Sequence, residues 1–478
     1  MKSYKLIIIL KNLNKIELKG FEKFLYSPFF RIKPYTIPFF KEIKKYYPKF
    51  DKNFVMENIW NKVYNSNPYN ETTVRKIMSL LAFYAEEYAV LTKAQSKIFQ
   101  KKLDLIDFYT ERNLFSLAEK SINDLKNSFD EDGNQAFNYQ ADLESKLVTL
   151  NVQSKTQKYA APHVIVRTKW NILVFITTLL NDLIESYANY KRYNIKFENE
   201  EFVRLLKAWD FENYPGSSKT EEYHFYYLLI SYVKKIILDK EDKYVLDLYK
   251  LYIDHEPFYG KMPTYGIPFS RNMLRIINLL SRGKPSYIKL QFFVNMEQVQ
   301  RGFIHFHKGR FILRDYLNAL LPAIFTANLE WAEQFADKFL SKLEPSQREE
   351  AKQLTEALLK YNRGNLLEAQ KHCSMFKYKD QQTILIIKIL MLKIQYELKN
   401  YEQSLSILDS YFHFLRENKN LTEDIIKMYT PFAKAYRMLL NCIFKGNTNE
   451  VYKVLNYLED KIFFEKDWLI IKLNELLH

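Results

Sequence analysis

Apolar residues recur at three- and four-residue spacing along most of this chain, with polar residues between them. That period predicts amphipathic helices rather than strands. The first clear case follows Asn14-Lys15-Ile16-Glu17, a capping-box pattern in which the Asn side chain accepts from a first-turn backbone N–H and Glu17 reaches back. Leu18, Phe21, Phe24 and Leu25 then share one helical face. Ser27-Pro28 predicts its end, because the residue before a proline is pushed out of the α region. Pro34 and Pro38 bracket a predicted loop, and helical spacing returns from Phe39 to Tyr47 with Lys41, Lys44 and Lys45 outward. Pro48 closes that helix, Asn67-Pro68 marks a turn, and Thr73 to Phe108 reads as a long helical tract.

Further along, Asp130 to Asn134 reads as a loop and Gln153 to Pro162 as a flexible linker. Helices are predicted near 167–191, 199–211, 220–238 and 241–254, with Thr220 capping the third. Residues 255–270 hold three prolines and two glycines among aromatics and read as an ordered loop. From about 286 the helices become dense, with turn signals at Gly309, Asn328, Gly364, Asn400 and Gly446. Pro345-Ser346-Gln347-Arg348-Glu349 reads as a second capping box, and Pro322 predicts a kink or break near residue 321.

Two of these turns echo each other. Ala357 to Ala369, built around Gly364, is followed by Tyr396 to Ser404, built around Lys399-Asn400, 35 residues on (364 to 399). In each, a small residue stands five positions after the turn, where two helices must approach closely; Asn113 to Ala118 has the same form. Helical hairpins at such a period predict an all-α solenoid in which each repeat buries its apolar face against the next.

Composition supports this. The chain has 478 residues, 47% hydrophobic, and only 10 Gly and 14 Pro, so helix breakers are few and a large core is available. The net charge of +15 fits either a surface for nucleic acid or a compositional bias towards Lys. No tract concentrates the charge, which favours the second reading. The two cysteines, Cys373 and Cys442, are far apart, which excludes a disulfide framework and points to a reducing, cytoplasmic setting. The N-terminal Leu6 to Leu10 run is shorter than the roughly 7–15 apolar residues of a signal peptide. The longest apolar stretches, Trp170–Leu180 and Ile384–Ile394, are shorter than the ~20 residues of a membrane span, so none is expected.

The stretch Gly364-Asn-Leu-Leu-Glu-Ala369, with Ala357 before it and Cys373 after it, resembles a tetratricopeptide repeat, as does Lys399 to Ser404 with Leu408. Asn328 to Ala332 and Asn113 to Ala118 are weaker copies. Gln353 and Lys388 depart from the pattern, standing where the first helix of a repeat carries a large apolar residue, and Gln381 stands where a closing proline is common. More broadly, Gly20 to Phe30 and Asn328 to Leu415 resemble a group of uncharacterised bacterial all-helical proteins with degenerate tetratricopeptide-like repeats. These resemblances imply a helical-hairpin array and an interaction role. Three parts are expected: an N-terminal helical module (1–100), a first helical array (101–255) and a tetratricopeptide-like region (270–478).

Candidate chemistry is sparse. No three glycines fall within six residues and no Gly-Lys-Ser/Thr occurs, so the common phosphate cradles are missing. His305 and His307 diverge on a helix and lack a third ligand at metal spacing. His372-Cys373 suggests an activated thiol, but Cys373 falls where the repeat places a small buried residue. No cofactor and no catalytic set is therefore expected. If the first helix of each repeat lines a concave face, as the resemblance implies, that face includes Leu358, Tyr361, Asn362, Ile389, Lys393, Tyr396 and Glu397. Tyr and Asn with mixed charge suit a peptide or partner helix. The expected function is a non-enzymatic interaction scaffold. The alternative is a nucleic-acid-binding helical array, with aromatics interleaved among lysines as stacking platforms.

Overall fold

The computed structural model describes residues 4–50, 54–65, 67–127, 136–214, 223–255, 263–281, 284–304, 310–375, 381–418, 421, 423–446 and 448–477. Among them the chain is all-α, with 23 α-helices, no strand, and a single isolated bridge between Phe311 and Leu343. In chain order the helices are α1 (Lys5–Asn12), α2 (Lys15–Leu25), α3 (Thr36–Lys44), α4 (Met56–Val63), α5 (Glu71–Ser96), α6 (Ile98–Glu111), α7 (Phe115–Asn127) and α8 (Ala136–Gln153). Then follow α9 (Ala160–Tyr193), α10 (Glu201–Ala208), α11 (His224–Ile237), α12 (Tyr244–Asp254), α13 (Pro263–Ser281), α14 (Ile288–Gln300), α15 (Leu313–Phe325) and α16 (Leu329–Phe339). The last seven are α17 (Pro345–Asn362), α18 (Leu366–Ser374), α19 (Gln381–Glu397), α20 (Tyr401–Glu417), α21 (Glu423–Lys445), α22 (Thr448–Glu459) and α23 (Lys466–Glu475).

Two compact units divide the chain: residues 1–129 with 143–164, and residues 130–142 with 165–478. In the first, the aromatic-rich faces of α2 and α3 meet α4 and α5 around Phe21, Phe40, Trp60 and Leu81. The Asn14 capping box forms: the Asn14 side chain accepts from the N–H groups of Ile16 and Glu17, and Glu17 accepts from the Asn14 N–H. Gly20 lets α2 and α5 pack closely: a Cβ there would strike the Tyr88 hydroxyl and displace that ring. The second unit holds three core clusters in succession, centred on α11–α14, α15–α19 and α19–α23. Consecutive helices pack as pairs, among them α15 with α16, α17 with α18, α19 with α20 and α21 with α22.

Four of the pairs turn by the same device. Asn113, Ala327, Gly364 and Lys399 each have positive φ (59°, 58°, 82° and 59°). The N–H of the next residue reaches back five positions to the preceding helix: Leu114 to Tyr109, Asn328 to Ala323, Asn365 to Lys360, and Asn400 to Gln395, at 2.8–2.9 Å. This is the Schellman closure, in which a left-handed residue lets the chain satisfy the last carbonyls of a helix and leave it. Five positions after each left-handed residue stands a small side chain, Ala118, Ala332, Ala369 or Ser404, and all four are fully buried. The sequence-based expectation of close helix approach at these positions is met. The departures at Gln353 and Lys388 are absorbed by partners on the second helix of each pair. His372 donates to Gln353 Oε1 at 2.7 Å, and Lys388 donates to Ser410 Oγ at 2.7 Å.

Several local expectations are corrected. Pro38 lies in the first turn of α3 rather than in a loop, because a proline there forfeits no intrahelical bond. The tract from Thr73 divides into α5 and α6 at Lys97. Residues 157–162 are helical, and α9 starts at Ala160. Pro263 opens α13, so half of the supposed aromatic loop is helix. Pro345 stands at the first position of α17, and Ser346 is therefore inside the helix and caps nothing. α15 runs through Pro322 without a break. Thr220, Gly309, His305, His307 and residues 130–134 lie outside the described residues.

Among the described residues one helical stretch, Gln157–Lys191, is long and apolar enough to cross a membrane. About a fifth of its apolar window (22%) is buried, and Leu173, Ile176, Leu180, Leu183 and Tyr187 lie in the core of the second unit.

Candidate functional site

A cavity of about 600 Å³ opens in the second unit, half enclosed by the first helices of successive pairs. α15 contributes Arg314, Leu317, Asn318, Leu321, Pro322 and Phe325, one face by the three- and four-residue rule. α17 contributes Leu358, Tyr361 and Asn362, and α19 contributes Ile386, Ile389, Leu390 and Lys393 by the same rule. The start of α21 adds Ile425, Met428 and Tyr429, and the segment before α23 adds Ile462, Phe464 and Glu465. Lys284 and Gln291 border it on the α14 side. Its size is that of a site for a drug-sized ligand or a few peptide side chains.

Five of the seven residues expected on the concave face (Leu358, Tyr361, Asn362, Ile389 and Lys393) line this cavity. Tyr396 and Glu397 sit one turn further on and face the chain's own last helix. Tyr396 meets Trp468 edge-on at 5.3 Å. Glu397 accepts from the Trp468 indole at 3.3 Å and pairs with Lys472 at 3.0 Å. The period of the first helices made the α17 and α19 faces legible in the sequence. The α15 face carries the same period, but Pro322 obscured it by predicting a break. Nothing local flags Phe464, Glu465 or Trp468, which reach the site from about 70 residues downstream.

The charged centre is Lys393. Its ammonium lies 2.8 Å from Glu465 Oε2, with both side chains largely buried. It also lies 4.7 Å from the centroid of the Tyr361 ring and 5.7 Å from that of Trp468, both within cation–π range. Burial, reinforced by the carboxylates of Glu397 and Glu465, pushes the Tyr361 phenol well above its ordinary value, so it stays protonated. Removing either partner of such a pair strands a charge in a poorly solvated place. Glu465 is itself in the left-handed region (φ 66°, ψ 18°) at the N-cap of α23, and its side chain makes no cap bond. That conformation costs a non-glycine residue about 1–2 kcal/mol.

Five cationic side chains line the cavity against two carboxylates. Lys284 pairs with Asp242 and Lys393 with Glu465. Lys191, Arg314 and Lys427 also line it, Lys427 lying 3.9 Å from the exposed Glu423 outside the lining. A polar seam backs one wall. Asn278 donates to Asn295 at 2.6 Å, and Asn295 donates to the Asn318 carbonyl at 3.0 Å. The side-chain Nδ2 of Asn318 is buried and has no acceptor among the described residues.

Elsewhere, Cys373 is buried and burial pushes its thiol up to about 12, which leaves it an inert packing residue rather than a nucleophile. Among the described residues no three His, Cys, Asp or Glu side chains gather in a way that could hold a metal ion. No protein-family model, curated protein or solved structure matches this chain.

Proposed function

We propose that this protein is a non-enzymatic interaction scaffold, a degenerate tetratricopeptide-like array that binds a peptide or partner helix in the groove formed by the first helices of its pairs. One observation carries the reading: five of the seven residues that the tetratricopeptide resemblance implies for the concave face line a single cavity. The four matching turns with fully buried small residues support the repeat register. The apolar wall, interrupted by a few donors, has the composition of a peptide groove. The setting is cytoplasmic, and no cofactor takes part.

Site-directed photocrosslinking tests this. A photoreactive phenylalanine analogue placed at Asn362 in the full-length chain should capture a discrete partner at saturable, stoichiometric yield. Ile425→Glu, in the cavity lining, should abolish that product. Capture unchanged by Ile425→Glu, or turnover of a small molecule by the purified protein, would remove the proposal. Crosslinking to nucleic acid, with affinity falling steeply with log salt, would assign the groove to phosphate instead.

A further inference from the structure

We propose that the first unit docks on an anionic phospholipid surface through the outer ridge of α2 and the loop that follows it, with Phe29 as the inserted residue. The groove belongs to the second unit, so a failure here leaves it untouched.

The net charge of +15 is unevenly held. Residues 1–129 with 143–164 carry 26 Lys and Arg against 14 Asp and Glu, a net +12, which leaves +3 for the rest of the chain. In this unit α2 turns Leu18, Phe21, Phe24 and Leu25 inward. Ile16, Lys19, Lys23 and Tyr26 fall on the opposite side by the three- and four-residue rule, and all four are exposed. Both acids of α2 are committed, Glu17 to the Asn14 cap and Glu22 to Lys44. No Asp or Glu occurs between Glu22 and Glu42. Lys19, Lys23, Arg31 and Lys33 have no carboxylate partner among the described residues.

The loop continues the ridge with an alternating pattern. Phe30 and Ile32 pack against the core of the unit, while Phe29, Arg31 and Lys33 are exposed. Two bonds hold it so. The Lys33 N–H donates to the hydroxyl of buried Tyr84 at 3.0 Å, and the Thr36 hydroxyl donates to the Lys33 carbonyl at 2.7 Å. Phe29 is 87% exposed and Ile16 82%, more than any other large apolar side chain among the described residues. Phe29 follows Tyr26 by three residues, at most about 11 Å of chain, so loop tip and ridge are neighbours. Apolar side chains ringed by Lys and Arg suit the headgroup boundary of a bilayer, where the rings enter and the cations stay with the phosphates. An anionic leaflet attracts such a ring of charge. Nucleic acid fits less well: Ile16 has no ring to stack on a base, and the Tyr26 ring already carries the Lys41 ammonium 5.5 Å from its centroid.

Co-sedimentation of the full-length protein with phosphatidylcholine vesicles, with and without about one-third phosphatidylserine, tests this. The anionic vesicles should bind at least about tenfold tighter. Lys19→Gln with Lys23→Gln should weaken that binding about tenfold or more. Lys120→Gln with Lys126→Gln, at exposed positions of α7, removes the same charge from the same unit and should cost less than about threefold. Phe29→Ser should weaken binding about fivefold or more, most clearly at high salt, where charge is screened. Brominated lipid should quench the fluorescence added by Phe29→Trp. All these positions are exposed, and circular dichroism checks that each variant is folded.

No binding of the anionic vesicles, equal binding of both kinds, or an equal loss from the α7 pair would overturn the ridge. Unchanged affinity in Phe29→Ser, or no added quenching in Phe29→Trp, would overturn insertion. Displacement from vesicles by soluble glycerophosphoserine would reassign the lysines to a free phosphate. Displacement by single-stranded DNA that the Lys19/Lys23 variant no longer binds would reassign them to nucleic acid. Either removes the proposal.

Discussion

Asn295 on α14 donates its side-chain amide, at 3.0 Å, to the main-chain carbonyl of Asn318 on α15. That carbonyl is the one Pro322, four residues on, cannot bond, because proline has no N–H. A neighbouring helix thus closes the gap that the sequence presented as a break, and α15 runs on through it with the face that lines the cavity.

Asn295→Leu is expected to cost about 1–3 kcal/mol, the range for stranding a buried polar group. In a Pro322→Ala background α15 closes its own ladder, so the same substitution should cost less. A double-mutant cycle by chemical denaturation checks this, with a coupling of about 1 kcal/mol expected. Strict additivity would mean that Asn295 acts for another reason.

Ala369→Trp should destabilise the α17–α18 pair by about 1–3 kcal/mol or more, because the fully buried site has no room for the ring. Leu367, two residues earlier and 71% exposed, is the control: Leu367→Trp should stay within about 0.5 kcal/mol of wild type. Thermal melts that rank the two variants the other way would show that the pairs meet through a different face.

The shared turn makes a signed pair of expectations. Ala327 holds φ 58° with a Cβ, so Ala327→Gly should stabilise by about 1 kcal/mol. Gly364 holds φ 82°, and a Cβ there would touch nothing within 4 Å. Gly364→Ala should therefore destabilise by a similar amount through the backbone alone, about 1–2 kcal/mol. Urea denaturation of both variants measures the signs, and like signs would contradict a common turn.

Alkaline pH should unfold this protein. Burial raises the phenols of Tyr316, Tyr411 and Tyr436 well above their ordinary value of 10. Above pH 10 the unfolded chain releases protons that the folded chain retains, so stability is full below that point and falls as pH rises. The melting temperature should drop progressively between pH 9.5 and about 11.5. Tyr316→Phe should flatten that slope, at the cost of its bond to Thr355, which Thr355 survives by donating to the Ala351 carbonyl. A slope identical in Tyr316→Phe would show that other groups govern the alkaline limb.

Helical class, the Asn14 cap, the hairpin turns and the burial of Ala118, Ala332, Ala369 and Ser404 follow from the sequence alone, because each is set by spacing, capping and steric size within about a dozen residues. The α17 and α19 cavity faces were legible for the same reason. The α15 face was not, since a proline's missing N–H reads as a break until Asn295 arrives from another helix. Nor was the seating of Tyr396 and Glu397 against Trp468 and Lys472, or of Glu465 on Lys393. Those contacts join residues some 70 positions apart, and only the packed second unit, which pairs charges where water is scarce, decided them.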